Sequence, residues 1–270
     1  MKVSHSRIET FVKCPYQYKL RYIDELKTYP ENDPADPLII GTALHTGIEK
    51  DTKTAISEYY DSFPIITDRH IEESIKLEWV IAKCKEILPA GGEFEVKIEI
   101  PDEFLGFIDY LVPVGNNEYD MYDFKYSNNV ANYMRSGQLH EYKFYFEKIN
   151  PDKRIRKMYF LFAPKVQIKM KYKNKTNPRD ETLEEFRKRL NEELKDKEAQ
   201  LHEVTYDSLK VKEFIYNKRT LESATVFDKN VSNLCRWCEF QEFCLTGSDL
   251  NIDWSQTKFK CEKNYLRSEK

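Results

Sequence analysis

The sequence predicts an α/β (α+β) fold, a mixed central sheet flanked by helices, and three observations carry that reading. Residues 94–100 alternate apolar and charged side chains, residues 67–88 carry an apolar stripe at helical spacing, and residues 158–163 (MYFLFA) form a short apolar run. Alternation marks a half-buried strand, the stripe an amphipathic helix, and the short run a strand covered on both faces. With 40% hydrophobic and 14% aromatic residues in 270, the chain can bury a core, and its 33% charge does not reach a disordered composition.

The elements follow in order. Ser6 and Glu9 have capping-box spacing ahead of the apolar positions Ile8, Phe11 and Val12, so a helix opens the chain and Pro15 disturbs it just after Cys14. Residues 30–37 (PENDPADP) read as a loop, and a second helix from about residue 38 carries Gly41, His45 and Glu49. Thr67 caps a longer helix whose face includes Leu77, Ile81, Cys84 and Leu88. Three strands follow, at residues 94–100, 105–114 and 119–126, with Gly115-Asn116-Asn117 as the turn between the last two. Residues 132–149 read as a helix ending before Pro151, and residues 158–163 as the buried fourth strand. A polar linker over 171–179 leads to a charged helix from Thr182 and Glu185 to about residue 202, then a helix near 211–218 and an irregular, cysteine-rich tail after Phe227.

The opening MKVSHSRIET lacks the apolar core of a signal peptide, and no run approaches the ~20 apolar residues of a membrane span, so the expectation is a cytoplasmic protein with no membrane partner. Six cysteines in such a setting point to metal or catalysis rather than disulfides. Lys+Arg 43 against Asp+Glu 46 gives a net charge of −3, which taken alone argues against nucleic acid.

The strongest local chemistry lies in Gly106-Phe107-Ile108-Asp109 and Asp123-Phe124-Lys125. Residues i and i+2 of a strand share a face, so Asp123 and Lys125 project together, and the hairpin can bring Asp109 beside them. Adjacent carboxylates repel, and a hard divalent cation relieves the repulsion. A neighbouring lysine suits phosphate chemistry, because it can orient a water and stabilise charge developing on phosphorus. Exposed charges on a solvated hairpin would look similar, but these lie among Phe107, Ile108, Met121 and Phe124. Glu95 reads either as a further acidic member or as a surface glutamate.

With these motifs the sequence resembles the PD-(D/E)XK nuclease superfamily, in the RecB-like branch that also holds CRISPR-associated adaptation nucleases with an iron–sulfur cluster. Phe11, Cys14, Pro15, Tyr16 and Tyr18 match the family's opening helix, Gly41 to His45 its G-x-x-x-H, Gly106 to Asp109 its G-x-x-D, Asp123 to Lys125 its (D/E)-x-K, and Gln138 to Tyr142 its Q-x-x-x-Y. The likeness covers about residues 4–145 and 235–244 and leaves 165–227 unmatched. It implies a restriction-endonuclease-like core within a single nuclease domain over 1–270: a core at about 38–165, a cluster subdomain from helix 4–22 and segment 228–246, and a helical cap at about 180–220. It also implies Asp109, Asp123 and Lys125 as catalytic residues and His45, Asp109, Asp123 and the Phe124 carbonyl as ligands of Mg²⁺ or Mn²⁺. Gln138 and Tyr142 would stand on the substrate side.

Cys235, Cys238 and Cys244 give C-x₂-C-x₅-C with Trp237, Phe240 and Phe243 interleaved, three ligands in need of a fourth. The resemblance supplies Cys14 and a 4Fe–4S cluster, structural in role, that closes a long loop. Zinc is the rival, with Cys261 as fourth ligand, and Cys84 fits a helix's apolar stripe.

Net charge conceals a wholly basic stretch. Residues 153–175 hold nine Lys and Arg, no acid, and Tyr159, Phe160, Phe162 and Tyr172 between them. This composition suits single-stranded or frayed DNA ends, and equally a strand edge kept soluble by lysine. The expected function is a Mg²⁺- or Mn²⁺-dependent DNA exonuclease in recombination, repair or spacer acquisition, with helicase, integrase or nuclease partners. The alternatives are a non-catalytic DNA-end-binding or accessory subunit of the same fold and a zinc-stapled nucleic-acid-binding module.

Overall fold

A computed structural model of the chain describes residues 1–257. Cys261, the candidate zinc ligand, lies outside the described residues. The chain forms two compact units: Met1–Glu31, Glu99–Leu105 and Ser208–Lys270 make the first, Asn32–Ile98 and Gly106–Asp207 the second.

The second unit is built on a five-stranded sheet, ordered β1 (Glu93–Ile100), β2 (Phe104–Gly115), β3 (Glu118–Tyr126), β4 (Arg154–Ala163) and β5 (Gln200–Val204). β2 and β3 pair antiparallel, with Tyr110 opposite Tyr122. Their turn needs left-handed backbone, which Gly115 (φ 101°), Asn116 (φ 52°) and Asn117 (φ 58°) supply. β3 and β4 pair parallel, with Asp123 opposite Phe160 and Lys125 opposite Phe162. Parallel neighbours require a crossover, here helices α6 (Val130–Tyr133) and α7 (Gln138–Ile149). The helix expected over 132–149 is thus two helices, broken before Gly137, which caps α7 and sets Gln138 at its first position.

Three further helices cover one face of this sheet. α3 (Pro37–Glu49) starts where the Asp36 carboxylate accepts the N–H groups of Leu38 and Ile39, with Pro37 in the first turn. α4 (Thr52–Asp61) has no counterpart in the sequence reading, because its buried side chains are only Ala55 and Tyr59, too thin a stripe to stand out. α5 (Asp68–Ile87) begins at the expected Thr67 cap. Leu44, Ile48, Tyr59, Ile81 and Cys84 of these helices pack on Tyr110, Tyr122, Phe124 and Leu161 of the sheet.

The charged helix expected to reach residue 202 ends at Glu193 as α8 (Leu183–Glu193), and the chain then adds β5 antiparallel to β4. β5 (QLHEV) has one buried side chain, Val204, so it carries almost no strand signal of its own. Backbone pairing with β4 and the Lys157–Glu203 ion pair, 2.8 Å, hold it.

The first unit gathers both ends of the described chain. α1 (His5–Lys13) is capped by Ser4, whose hydroxyl accepts from Arg7 N–H, rather than by Ser6, which already lies inside the first turn. Pro15 does more than interrupt α1: it opens α2 (Pro15–Tyr18), and the Cys14 sulfur caps that helix. A wide turn at Lys19–Ile23 follows. The later helices are α9 (Ser208–Ser223) and α10 (Gln241–Thr246), with a 3-10 turn at Asn233–Trp237. Leu20, Leu26, Phe240 and Ile252 form one apolar cluster of this unit, Ile8, Phe11, Tyr18, Phe104, Val211, Phe214 and Leu221 are buried as well, a bridge joins Thr28 to Ile252, and Glu239 accepts from Arg21 and Gln17. No described helix is long and apolar enough to cross a membrane.

Candidate active site

β2 and β3 are adjacent and antiparallel, so Asp109 and Asp123 come together near the strand centres, both buried at 9% and 1% exposure. Asp109 is fixed by the backbone: its Oδ2 accepts the Phe124 N–H at 2.6 Å. Asp123 is fixed by little. Neither of its oxygens accepts a well-formed hydrogen bond from a described residue, and its close neighbour is the Lys125 ammonium, 2.5 Å from Oδ2. A buried carboxylate without hydrogen bonds is costly, and such a group calls for a cation.

α3 contributes His45. Its Nε2 lies 3.3 Å from the Phe124 carbonyl and its Nδ1 3.7 Å from Asp109 Oδ1. With the proton on Nε2 and donated to that carbonyl, the Nδ1 lone pair faces the carboxylates. Burial lowers the His45 pKa despite the attraction of Asp123, so the imidazole is neutral and competent as a ligand. β1 contributes Glu95, and one ligand atom each from His45, Glu95 and Asp109 lies within 4.8 Å of the others.

Glu95 is held in the left-handed region at φ 52°, where a non-glycine residue is strained by about 1–2 kcal/mol.

The electrostatics follow from three carboxylates and one ammonium. Burial raises the Asp109 pKa well above its usual range, and the Asp123 charge adds to the effect. Burial likewise raises Glu95, with Glu49 and Asp123 contributing. For Lys125 burial acts downward, but Asp123 and Asp109 outweigh it and the net shift is upward. A divalent cation would offset the excess negative charge. Two carboxylates with oxygens to spare, Glu95 and a neutral imidazole are a donor set that fits Mg²⁺ or Mn²⁺.

α7 completes the site. Lys125 Nζ donates to Gln138 Oε1 at 3.0 Å, and Gln138 Nε2 donates to the Tyr142 hydroxyl at 3.3 Å. The four-residue spacing stacks Gln138 and Tyr142 on one helix face, and the break before Gly137 aims that face at β3. Tyr133 of α6 also meets the lysine, its ring centroid 5.5 Å from Nζ, a neighbour that no motif in the sequence signals.

The structure therefore brings together His45, Asp109, Asp123, Lys125, Gln138 and Tyr142. The Phe124 carbonyl is beside them, facing His45. In the first unit, Cys14, Cys235, Cys238 and Cys244 line one cavity of about 340 Å³. Burial pushes the Cys238 thiol up to about 11, with Glu239, Cys14 and Cys244 adding to it, so these sulfurs sense one another. Cys84 is fully buried among apolar side chains.

The basic stretch divides. Its strand half is spoken for: Arg156 binds Asp120 at 3.0 and 2.6 Å, Lys157 binds Glu203, and Phe160 and Phe162 are buried. Those rings cannot stack on bases, because packing against Tyr133 and His202 buries them.

Comparison with known proteins agrees with this geometry. The family model of the PD-(D/E)XK nuclease superfamily matches residues 2–245, including the stretch 165–227 that no sequence motif covers. No curated protein matches in sequence. Among solved structures, a chain from Eubacterium rectale named "Putative exonuclease" is similar at TM-score 0.52 and 12% identity, covering 87% of each chain. Another, SSO0001, covers 90% of this chain and 85% of its own at 12% identity, with a TM-score of 0.40. With the match spanning nearly the whole chain and the acidic, histidine and lysine side chains gathered at β2 and β3, the chain belongs to the PD-(D/E)XK nuclease superfamily.

Proposed function

We propose that this chain is a metal-dependent DNA nuclease, acting at DNA ends as an exonuclease of the RecB-like type. The observation that carries the reading is the buried Asp123–Lys125 pair, otherwise without hydrogen bonds to Asp123, set beside the donors of His45, Glu95 and Asp109. His45, Glu95, Asp109 and Asp123 would hold Mg²⁺ or Mn²⁺, which supplies Lewis-acid polarisation of a phosphoryl oxygen. Lys125 places its ammonium where an attacking water can be oriented and where charge develops on phosphorus. Gln138 holds Nζ in that position, and Tyr142 holds Gln138. The name of the Eubacterium rectale chain agrees with action at ends.

A second proposal concerns the cysteines. Cys14, Cys235, Cys238 and Cys244 would hold a 4Fe–4S cluster of structural role. The four sulfurs line one cavity, which puts Cys14 alongside the three cysteines of the tail as a fourth donor. Recombination, repair or spacer acquisition would provide the DNA ends.

The test is cleavage of end-labelled single- and double-stranded DNA with Mg²⁺, Mn²⁺ or chelator. Lys125→Ala is expected to reduce cleavage by about 10³-fold or more while the melting temperature holds. Undiminished cleavage by that variant, or full activity in chelator, would refute the assignment.

A further inference from the structure

One side chain breaks the cover of β2. From Phe104 to Val112 every residue of the strand is buried or half-buried except Phe107, which is 41% exposed. Its neighbours in the strand differ: Ile108 is fully buried, and Asp109 is nearly so.

The antiparallel pairing sets this ring at the candidate site. The ladder between β2 and β3 runs as far as the pair of Tyr110 with Tyr122. Past that pair the Phe124 N–H turns to the Asp109 carboxylate, so a side chain bridges the two strands. Two residues farther along β2 stands Phe107, and two residues beyond Asp123 along β3 stands Lys125. Because the strands are antiparallel, both steps lead the same way, away from Tyr110 and Tyr122. Residues two apart on a strand share a face, so Phe107 lies on the face of Asp109, about 7 Å along the strand. Lys125 lies on the face of Asp123, whose carboxylate its ammonium meets at 2.5 Å. Lys125 is also covered by Gln138 and Tyr133, which leaves Phe107 as the exposed apolar group on this side of the carboxylates.

A lone exposed ring on a protein surface needs no explanation. A ring one strand repeat from a metal-binding carboxylate is different, because a phosphodiester held at Asp109 and Lys125 brings its own sugars and bases with it. Aromatic faces stack on bases of any sequence. An internal base of a duplex is already stacked on both sides, so such a ring can take only a base of a single strand or of an end.

We propose that Phe107 is a base-stacking residue: it takes an unpaired base next to the phosphodiester that reaches Lys125, and so favours single-stranded and frayed DNA over internal duplex. The proposal rests on the nuclease reading for its substrate.

The experiment uses the full chain carrying Lys125→Ala, so that DNA is bound and not consumed. Binding of a fluorescein-labelled 20-mer oligothymidine, and of an abasic strand of the same length, is followed by anisotropy across a salt series. Adding Phe107→Ala is expected to weaken binding of oligothymidine about fivefold or more, with the salt slope unchanged because no cation is lost. Phe107→Trp should hold or tighten binding, whereas Phe107→Leu, apolar but without a ring, should not restore it. The abasic strand should bind all of these variants alike. Unchanged affinity of Phe107→Ala for oligothymidine would overturn the proposal. An equal loss on the abasic strand would overturn it too, since that marks a backbone contact or a fold defect and not stacking. Cleavage persisting in Lys125→Ala with Phe107 intact would instead sink the nuclease assignment, so the two failures are distinct.

Discussion

Glu95 shows how one side chain can be worth its local strain. Left-handed backbone at a glutamate costs about 1–2 kcal/mol, and here it delivers a third carboxylate to within reach of His45 and Asp109. Glu95→Gly removes the strain and one like charge together. It is expected to keep or raise the melting temperature while lowering cleavage and metal affinity about tenfold or more. Lower stability with intact cleavage would mean that the strain serves the strand and not the site. His70 makes a different point at the same scale. It is fully buried against Phe63 at 4.4 Å, with Nδ1 accepting the Thr67 N–H and Nε2 lacking a partner among the described residues. Burial lowers its pKa, with Asp33 opposing weakly. The unfolded chain therefore binds a proton that the folded one resists. Stability from this group is complete above the ordinary histidine range near 6.5 and is lost as pH falls through it toward the folded value. Melting temperature measured from pH 7.5 to 5 should fall in the native chain, and His70→Gln should flatten that decline; an identical decline in both would exclude His70 as its source.

At the scale of elements, the seating of α3 on α5 decides where His45 stands. Gly47 lies one turn from the end of α3, and a Cβ there would come within 2.3 Å of Ile81 Cδ1 and 3.2 Å of the Ala55 Cβ. Ile81 is fully buried and has nowhere to move. Helix propensity favours Ala over Gly by about 1 kcal/mol, but overpacking costs about 1–3 kcal/mol. At Gly41 a Cβ meets nothing within 4 Å, so propensity acts unopposed. Gly41→Ala should then raise stability by up to about 1 kcal/mol and Gly47→Ala should lower it, as read by chemical denaturation. The reverse order would show that α3 is not seated this way. The motif glycine is thus not the one that packing requires, a distinction invisible in the spacing G-x-x-x-H. The crossover through α6 and α7 matters similarly, since a continuous helix over 132–149 would not start at Gln138.

For the molecule as a whole, the first unit is assembled from segments far apart in sequence. Met1–Glu31 and Ser208–Lys270 share a cluster of Leu20, Leu26, Phe240 and Ile252, and Ile8, Phe11, Tyr18, Val211, Phe214 and Leu221 of the same segments are buried as well. A metal group bound by Cys14 from one segment and three cysteines from the other would close a loop of about two hundred residues and stabilise the folded state by mass action. Protein purified without oxygen is expected to show broad visible absorbance and about four irons per chain, and Cys14→Ala to lose both and melt lower. Colourless protein with stoichiometric zinc would refute the cluster. An unaltered spectrum and melting temperature in Cys14→Ala would remove Cys14 from the ligands.

Much of this was legible in the chain itself, and for a common reason. β1, β2 and β3, the helix from Thr67, and the pairing of Asp123 with Lys125 rest on periodicities of two and 3.6 residues, which local sterics impose wherever the chain lies. Asp109 and Asp123 stood out as candidate ligands by residue type and spacing, whereas His45 was marked only by the resemblance to the family. What tertiary structure alone decided are the contacts whose partners are remote in sequence. It paired β5, almost featureless by composition, with β4. It buried Phe160 and Phe162 beyond the reach of any base and bent Glu95 into the acidic cluster. It also left Phe107 exposed on the face of Asp109. Each of these depends on backbone pairing or packing between separate elements of the chain, or on a strained dihedral that packing sustains, and no local pattern encodes such energies.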